Sequence, residues 1–385
     1  MSSMQPDIVI IGAGIAGLWT FNRLKRLGYD VLLLESKAIG CGQTIASQGI
    51  IHSGLKYAFA GQINALAKSI SAMPDLWREA LRGEGPVDLS AAKVSASSQH
   101  LLIPKGAMGG LIKLVSKKAL GGNVRDVPRE DWDESVVATG FKGSVIYMDE
   151  PVLDIPSVLE ALSVPYRESI RLIDVPNDPH GFLEHHGIKP KMIIHTAAGN
   201  NHPAAITNGD GTGLKTQARP LLMGMIKNAP FPLYAHCVGK SDKPVATITT
   251  HEMSDGKLVW YLGGGVAERV KEANPQEVYD ATTDMFKRYM PEIDTSSFEW
   301  AVLPIDRVEG KSDTQGWMPD TPTIHEAGNT LYCWPTKLTF APMLSDMIVD
   351  KLNFEPSGQA SDYSSLPPTP LCTTPWDDAT WITDV

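Results

Sequence analysis

The sequence predicts an α/β fold in which a Rossmann-like domain is interleaved with an α+β domain built on an antiparallel sheet. Three observations lead to it. A strand, glycine-rich turn, helix and second strand open the chain at 8–35 ("IVIIGAGIAGLWTFNRLKRLGYDVLLLE"). A further apolar strand runs into a small-residue turn in "KMIIHTAAGNN" (191–201). Several β-branched and aromatic segments, separated by turn signals, occupy the regions between and beyond.

In chain order, the β-branched run from Ile8 to Ile11 suits a strand buried on both faces. Gly12-Ala13-Gly14-Ile15-Ala16-Gly17 follows, then apolar residues at helical spacing in "LWTFNRLKRLGY". "DVLLLE" is the second strand and ends in Glu35, 23 residues after Gly12. Each part has its own reason. Gly12 makes a tight turn, Gly14 lets a pyrophosphate approach the backbone, and Gly17 lets helix and strand pack closely. The helix N-terminus, with Ile15 and Ala16 in its first turn, faces phosphates, and Glu35 accepts ribose hydroxyls. Dinucleotide binding is the expectation.

At 385 residues and 43% hydrophobic composition the chain has room for two cored domains. A formal charge of -10 argues against a nucleic-acid groove. Cys41, Cys237, Cys333 and Cys372 form no CxxC and no paired spacing, so we expect reduced thiols, no disulfide framework and a cytoplasmic location. The apolar N-terminal segment starts at Asp7, lacks a basic n-region and contains three glycines, which is unlike a signal peptide. No run of about 18 apolar residues predicts a transmembrane helix. His185-His186 lacks metal-ligand spacing, and no metal is expected.

The segment after Glu35, "SKAIGCGQTIASQGIIHSGLKY", resembles the loop of the D-amino acid oxidase-like FAD oxidoreductase superfamily, nearest to its glycerol-3-phosphate dehydrogenase and L-2-hydroxyglutarate dehydrogenase branches. Those branches carry a small-residue loop and then H-x-G-[LIV]-[RK]-Y, here His52-Ser53-Gly54-Leu55-Lys56-Tyr57. The resemblance implies FAD, with Ser36, Thr44, Ser47, Gln48 and Gly49 running along its pyrophosphate and emerging beside the isoalloxazine ring. It makes Ala198-Gly199 a second cofactor-contacting turn. "GNTLYCWPTKLTFAPMLSDMIVDKL" (328–352) reads as a strand, a turn and a helix over 339–352, and is similar to glycerol-3-phosphate dehydrogenases in Lys337, Thr339 and Met343. Pro335-Thr336 stands where those enzymes have glycines. Lys337, Leu338, Thr339 and the helix start are expected at the ring, where a cation and a helix dipole stabilise the reduced anion. The alternative for Lys337 is an exposed loop lysine.

The resemblance is discontinuous, so we expect an FAD-binding domain at 1–85, 145–215 and 300–355 and a substrate domain at 86–144 and 216–299. Candidate strands of the latter are "KVSASSQHLLI", "PLYAHCVG", "PVATITTHEM" and "KLVWYLGGG", the last two forming a hairpin around Ser254-Asp255-Gly256. Residues 356–385 read as an extended, Pro/Ser/Thr-rich, acidic tail without its own core, pinned by Trp376 and Trp381 to the body or to a partner subunit.

His52 is the candidate proton acceptor, against a structural histidine bonded to backbone. The resemblance makes Lys56 and Tyr57 anion-binding and hydroxyl groups. Arg219 and Arg307 are candidate carboxylate clamps, each with a structural ion pair as its alternative. The family's Tyr-x-Gly-x-Arg-Pro context is missing around Arg307. His236 and His251 read as hydrogen-bonded sheet residues, with a place on the same substrate-facing sheet face as their alternative. The expected function is an FAD-dependent oxidoreductase that removes a hydride from the CH–OH or CH–NH of a small anionic substrate, such as a 2-hydroxyacid or glycerol 3-phosphate. Oxygen, a quinone or another carrier would take the electrons. The alternatives are an amine or amino-acid oxidase of the glycine oxidase or sarcosine oxidase type, and a flavin-stabilised interaction subunit of a complex.

Overall fold

The computed structural model describes residues 4–53, 70–105, 124–174, 178–201, 216–239, 244–268, 274–310, 321–383 and 385. Among them, two large sheets organise the chain. The first has six strands in the order Thr323–Ala327, Thr330–Trp334, Met192–His195, β1 (Ile8–Ile11), β2 (Val31–Glu35) and Ile170–Leu172. All its neighbours are parallel except the hairpin at the Thr323–Ala327 edge.

β1 shows why this sheet is buried on both faces. Ile8 and Ile10 pack with helix α1 (Ile15–Arg26), with Leu159 and Leu162 of helix Ile155–Ser163, and with Leu344 and Ile348 of helix Ala341–Val349. Val9 and Ile11 point to the opposite face, where Phe182, Ile188, Tyr363 and Leu366 cover them. Period-two alternation thus feeds two separate cores, each buried side chain contributing about 1.5–3 kcal/mol. Two of the covering residues, Tyr363 and Leu366, belong to the C-terminal segment. The predicted tail has no core of its own, but it completes the core beneath the parallel sheet.

The second sheet has eight strands in the order Glu299–Gly310, Thr216–Lys227, Leu258–Gly263, Ala246–Glu252, Ala235–Cys237, Gln99–Ile103, Ser144–Met148 and Val124–Val127. Its pairs are antiparallel apart from Ala235–Cys237 on Gln99–Ile103. The hairpin of Ala246–Glu252 with Leu258–Gly263 is present, and Gly256 takes φ +80° at its turn. Helix Pro275–Tyr289 packs on one face over Trp260, Phe298 and Trp300.

Three details differ from the sequence expectations. Ser144–Met148 and Glu299–Gly310 fall largely in segments expected in the cofactor domain, yet their ladders belong to the eight-stranded sheet. The segment "KVSASSQHLLI" is two strands: Val94–Ala96 pairs with Val152–Leu153, and Gln99–Ile103 joins the large sheet. The helix expected over 339–352 runs from Ala341 to Val349 behind a 3₁₀ turn, Leu338–Phe340. Pro342 explains that start, because it lacks an N–H and fits only the first helical turn. Among the described residues no helix is long and apolar enough to cross a membrane.

Candidate active site

The turn after β1 is closed by contacts that only glycine permits. Gly12 has φ +104°, and a Cβ there would lie 2.8 Å from the backbone of Ala197. A Cβ at Gly17 would come within 1.9 Å of the Gly12 carbonyl oxygen and 2.7 Å of Thr196 Oγ1. The Thr196 hydroxyl donates to that same carbonyl at 2.8 Å. At the helix start, Ile15 N–H donates to Thr44 Oγ1 at 3.0 Å and Ala13 N–H to Glu35 Oε2 at 2.8 Å. Glu35 Oε1 accepts from the N–H groups of Ser36 and Lys37. The first turn of α1 carries no acidic residue, so its amides and dipole present positive charge.

A cavity of about 670 Å³ starts at this turn. It is lined by Gly12, Gly14, Ile15, Ala16, Glu35 and Ser36, by Thr44, Ser47, Gln48 and Gly49, and by His52, Ala198, Gly199, Arg307, Lys337, Leu338 and Thr339. Of the residues singled out in the sequence, Gly17 packs behind the turn and Arg219 lies off the cavity wall. Lys56 and Tyr57 lie outside the described residues.

The stretch from Ser47 to His52 is tied to the eight-stranded sheet and to the 335–340 turn. Gln48 Nε2 donates to the carbonyls of Thr247 and Tyr261 at 2.9 and 3.0 Å, and the Tyr261 hydroxyl donates to the Ala46 carbonyl at 2.8 Å. Gly49 takes φ +71°, with Leu153 O only 2.2 Å from a would-be Cβ. His52 N–H donates to Thr339 Oγ1 at 3.2 Å, which joins this stretch to the 335–340 turn. In that turn Thr336 takes φ +66°, the left-handed conformation favoured by glycine. Ala198 does the same at φ +50°, held by a bond from Trp334 Nε1 to its carbonyl at 3.1 Å. Such left-handed non-glycine residues cost about 1–3 kcal/mol and cluster at ligand sites.

On the cavity wall, His52 has its Nδ1 3.1 Å from Oε2 of Glu150. Glu150 is 2% exposed, and its Oε1 accepts from both the N–H and the hydroxyl of Ser53 at 2.8 Å. Burial pushes this carboxyl up, while the hydrogen bonds of His52 and the Ser53 amide, and the charge of His52 and His236 when protonated, pull it well below the usual carboxylate range. His236, on the strand beside, has its ring 6.2 Å from that of His52, pairs with Thr247 Oγ1 at 2.9 Å and lines the cavity. Arg219 and Arg307 both turn toward Glu309, and of the two only Arg307 lines the cavity.

Sequence reasoning missed Glu150 and left His236 as a sheet residue. Glu150 follows a strand as one acid among several in "YMDEPVLD", and its partners lie nearly a hundred residues earlier. His236 is a sheet residue and a cavity residue at once, and the alternation of its strand is the signal that was available.

Comparison with known proteins agrees with this geometry. The family described as FAD dependent oxidoreductase (DAO) matches residues 7–164. A curated relative, the probable FAD-dependent oxidoreductase PA4991 of Pseudomonas aeruginosa, is 34% identical over 378 residues, covering 96% of each chain. The crystal structure of that oxidoreductase superposes with a TM-score of 0.81 at 30% identity, over 98% of this chain and 99% of the other. Glycine oxidase from Geobacillus kaustophilus shares the fold at a TM-score of 0.63 and 14% identity, covering 95% of this chain and 99% of the other. L-alpha-glycerophosphate oxidase from Mycoplasma pneumoniae, solved with FAD bound, does so at 0.63 and 12%, covering 93% and 97%. The glycine turn, the cavity and full-length similarity to an oxidoreductase of this kind lead to one conclusion: the chain belongs to the DAO family of FAD-dependent oxidoreductases, and FAD is its cofactor.

Proposed function

We propose that this oxidoreductase removes a hydride from the CH–OH carbon of a small anionic substrate such as a 2-hydroxyacid, with His52 taking the hydroxyl proton. One observation carries the reading. One cavity is lined both by the dinucleotide turn and by an imidazole, a guanidinium and an ammonium group, from His52, Arg307 and Lys337.

The residues fit FAD. Gly12 and Gly17 form a turn that a Cβ would fill, and the first turn of α1 has no acidic residue to oppose a pyrophosphate. Glu35 is within the same cavity for ribose hydroxyls, and the left-handed Ala198 lies on its wall. When bound, FAD supplies a two-electron acceptor. The chain supplies the rest. His52 holds the substrate proton, Arg307 pairs with a carboxylate, and Lys337 at the cap of the Leu338–Phe340 turn opposes negative charge at the ring end.

The test is an absorption spectrum of the purified protein, then anaerobic reduction with 2-hydroxyacids, glycerol 3-phosphate, glycine and N-methyl amino acids. Bleaching by a hydroxyacid or glycerol 3-phosphate supports the reading. Bleaching only by amino compounds replaces it with CH–NH oxidation, and no bleaching by any donor favours a flavin-stabilised interaction subunit.

A further inference from the structure

We propose that Glu150 is a positioning residue: it fixes His52 as the Nδ1–H tautomer, leaving Nε2 as the basic nitrogen that takes the substrate's hydroxyl proton. The inference rests on the CH–OH reading above for its catalytic meaning, although the tautomer itself does not.

The argument starts from burial. A carboxyl group with 2% exposure is costly to ionise unless it is richly bonded. Glu150 is richly bonded. Oε1 accepts two bonds from Ser53, and Oε2 faces His52 Nδ1. An ionised carboxylate only accepts, so the proton between Oε2 and Nδ1 belongs to the imidazole. In a neutral ring that choice makes Nε2 the acceptor, and the His52 ring lines the cavity. The carboxylate also grips two consecutive residues, the ring of His52 and the backbone of Ser53, which fixes the ring orientation from both sides.

The surroundings favour an anion there. His52 and His236 are the titratable groups acting on Glu150. From the neighbouring strand Gln99 contributes a neutral amide, its Nε2 donating to the Glu150 carbonyl at 3.5 Å. The adjacent Asp149 has its own cation, Arg78. A purely structural bond could be served by an amide. An anion facing two imidazoles does something further, because it stabilises the imidazolium formed on substrate oxidation. The balance is simple. The substrate C–H leaves with both electrons to the bound cofactor, the O–H proton passes to Nε2, and C=O forms. The imidazolium then returns its proton to solvent.

Two experiments test this, and the first needs no substrate. In ¹⁵N-histidine-labelled holoprotein, the resonances lost in His52→Gln assign His52, and they should show a neutral ring protonated at Nδ1. Protonation at Nε2 overturns the proposal, whatever the donor proves to be. The second uses the donor that the reduction panel identifies. Glu150→Gln should keep the FAD content and visible spectrum while the limiting rate of anaerobic reduction falls about 10²-fold and half-saturation changes little. Glu150→Asp should recover part of the rate. A Glu150→Gln protein with a wild-type limiting rate overturns the proposal. If that variant does not fold, the tautomer measured in the wild type decides.

Discussion

Arg219 and Arg307 lie directly opposite each other on paired strands, and both turn to one buried carboxylate, Glu309. Directly opposed residues of an antiparallel pair share a face, so the two guanidiniums would repel without it. Glu309 has no exposed surface. Its Oε1 lies 3.1 Å from Arg219 Nη2 and accepts from Gln217 Nε2 at 2.8 Å, and its Oε2 lies 3.9 Å from Arg307 Nε. Arg307 Nη2 also donates to the Thr336 carbonyl at 3.4 Å. Arg219 therefore has the ion pair weighed as its alternative in the sequence, while Arg307 combines such a contact with a place on the cavity wall.

Replacing Glu309 by Gln should destabilise the protein by about 1–3 kcal/mol, the loss of charge-assisted bonding to two guanidiniums that are each about a third exposed. Chemical denaturation checks it. A loss below about 0.5 kcal/mol would mean that the three groups do not act as a unit. Arg307→Ala should raise half-saturation for an anionic donor more than Arg219→Ala does, and equal effects would remove the distinction drawn between them.

Lys337 sits on the cavity wall at the cap of the Leu338–Phe340 turn. If its charge opposes the anion that builds on the reduced ring, Lys337→Met should lower the flavin reduction potential and slow reduction by the equivalent of about 2–4 kcal/mol. Spectroelectrochemistry and stopped-flow reduction measure the two effects. Unchanged values for both would place the ammonium away from the ring.

The legible parts of this protein are those with local causes. The spacing of Gly12, Gly14 and Gly17 after a β-branched run reads directly because each glycine answers a contact within one βαβ unit, as the 1.9 Å approach at Gly17 shows. The Thr249–Tyr261 hairpin reads for the same reason. Glu150 and Glu309 do not. The partners of Glu150, and Gln217 and Arg219 among those of Glu309, lie roughly ninety residues or more away. The C-terminal segment hides differently: Tyr363, Leu366 and Trp376 are spaced irregularly among prolines and serines, yet each seals a core built by distant strands.

His195 predicts how the protein responds to acid. It is buried at the end of a parallel strand, its Nε2 is 3.1 Å from that of His180, and its ring stacks on Tyr332 at 4.7 Å. Burial, and then the charge of His180, push its proton affinity down to about 3. The unfolded chain protonates near 6.5, so between 6.5 and 3 the unfolded state binds more protons and stability falls as pH falls. From pH 7 to pH 5 this group alone should cost about 2 kcal/mol. His195→Gln should reduce that loss, measured by denaturation at the two pH values. An identical pH dependence in wild type and variant would show that His195 does not stay neutral in the fold.

The C-terminal segment should be indispensable. It crosses from one sheet to the other. Ser357 bonds Asp7, the Tyr363 hydroxyl donates to Asp30 Oδ2 at 2.9 Å, Ile39 N–H donates to the Pro370 carbonyl at 2.8 Å, and Trp300 and Ile382 exchange backbone bonds at 2.7 and 2.9 Å. Trp376 is 1% exposed and stacks on His251 at 4.2 Å. Trp376→Ala should cost about 3–5 kcal/mol, as other buried aromatics do. Truncation after residue 355 removes a face of the parallel-sheet core as well, and should abolish soluble, FAD-retaining protein. A second readout separates packing from mere tolerance. Burial beneath Trp376 holds His251 at about 3, so it too is neutral in the fold and protonated in the unfolded chain below 6.5. Opening its cover to water in Trp376→Ala should raise its folded-state affinity toward the ordinary value. The variant, though less stable at pH 7, should then lose less further stability between pH 7 and pH 5 than the wild type. Two parallel stability curves offset by a constant would show that His251 is shielded by something other than this tryptophan.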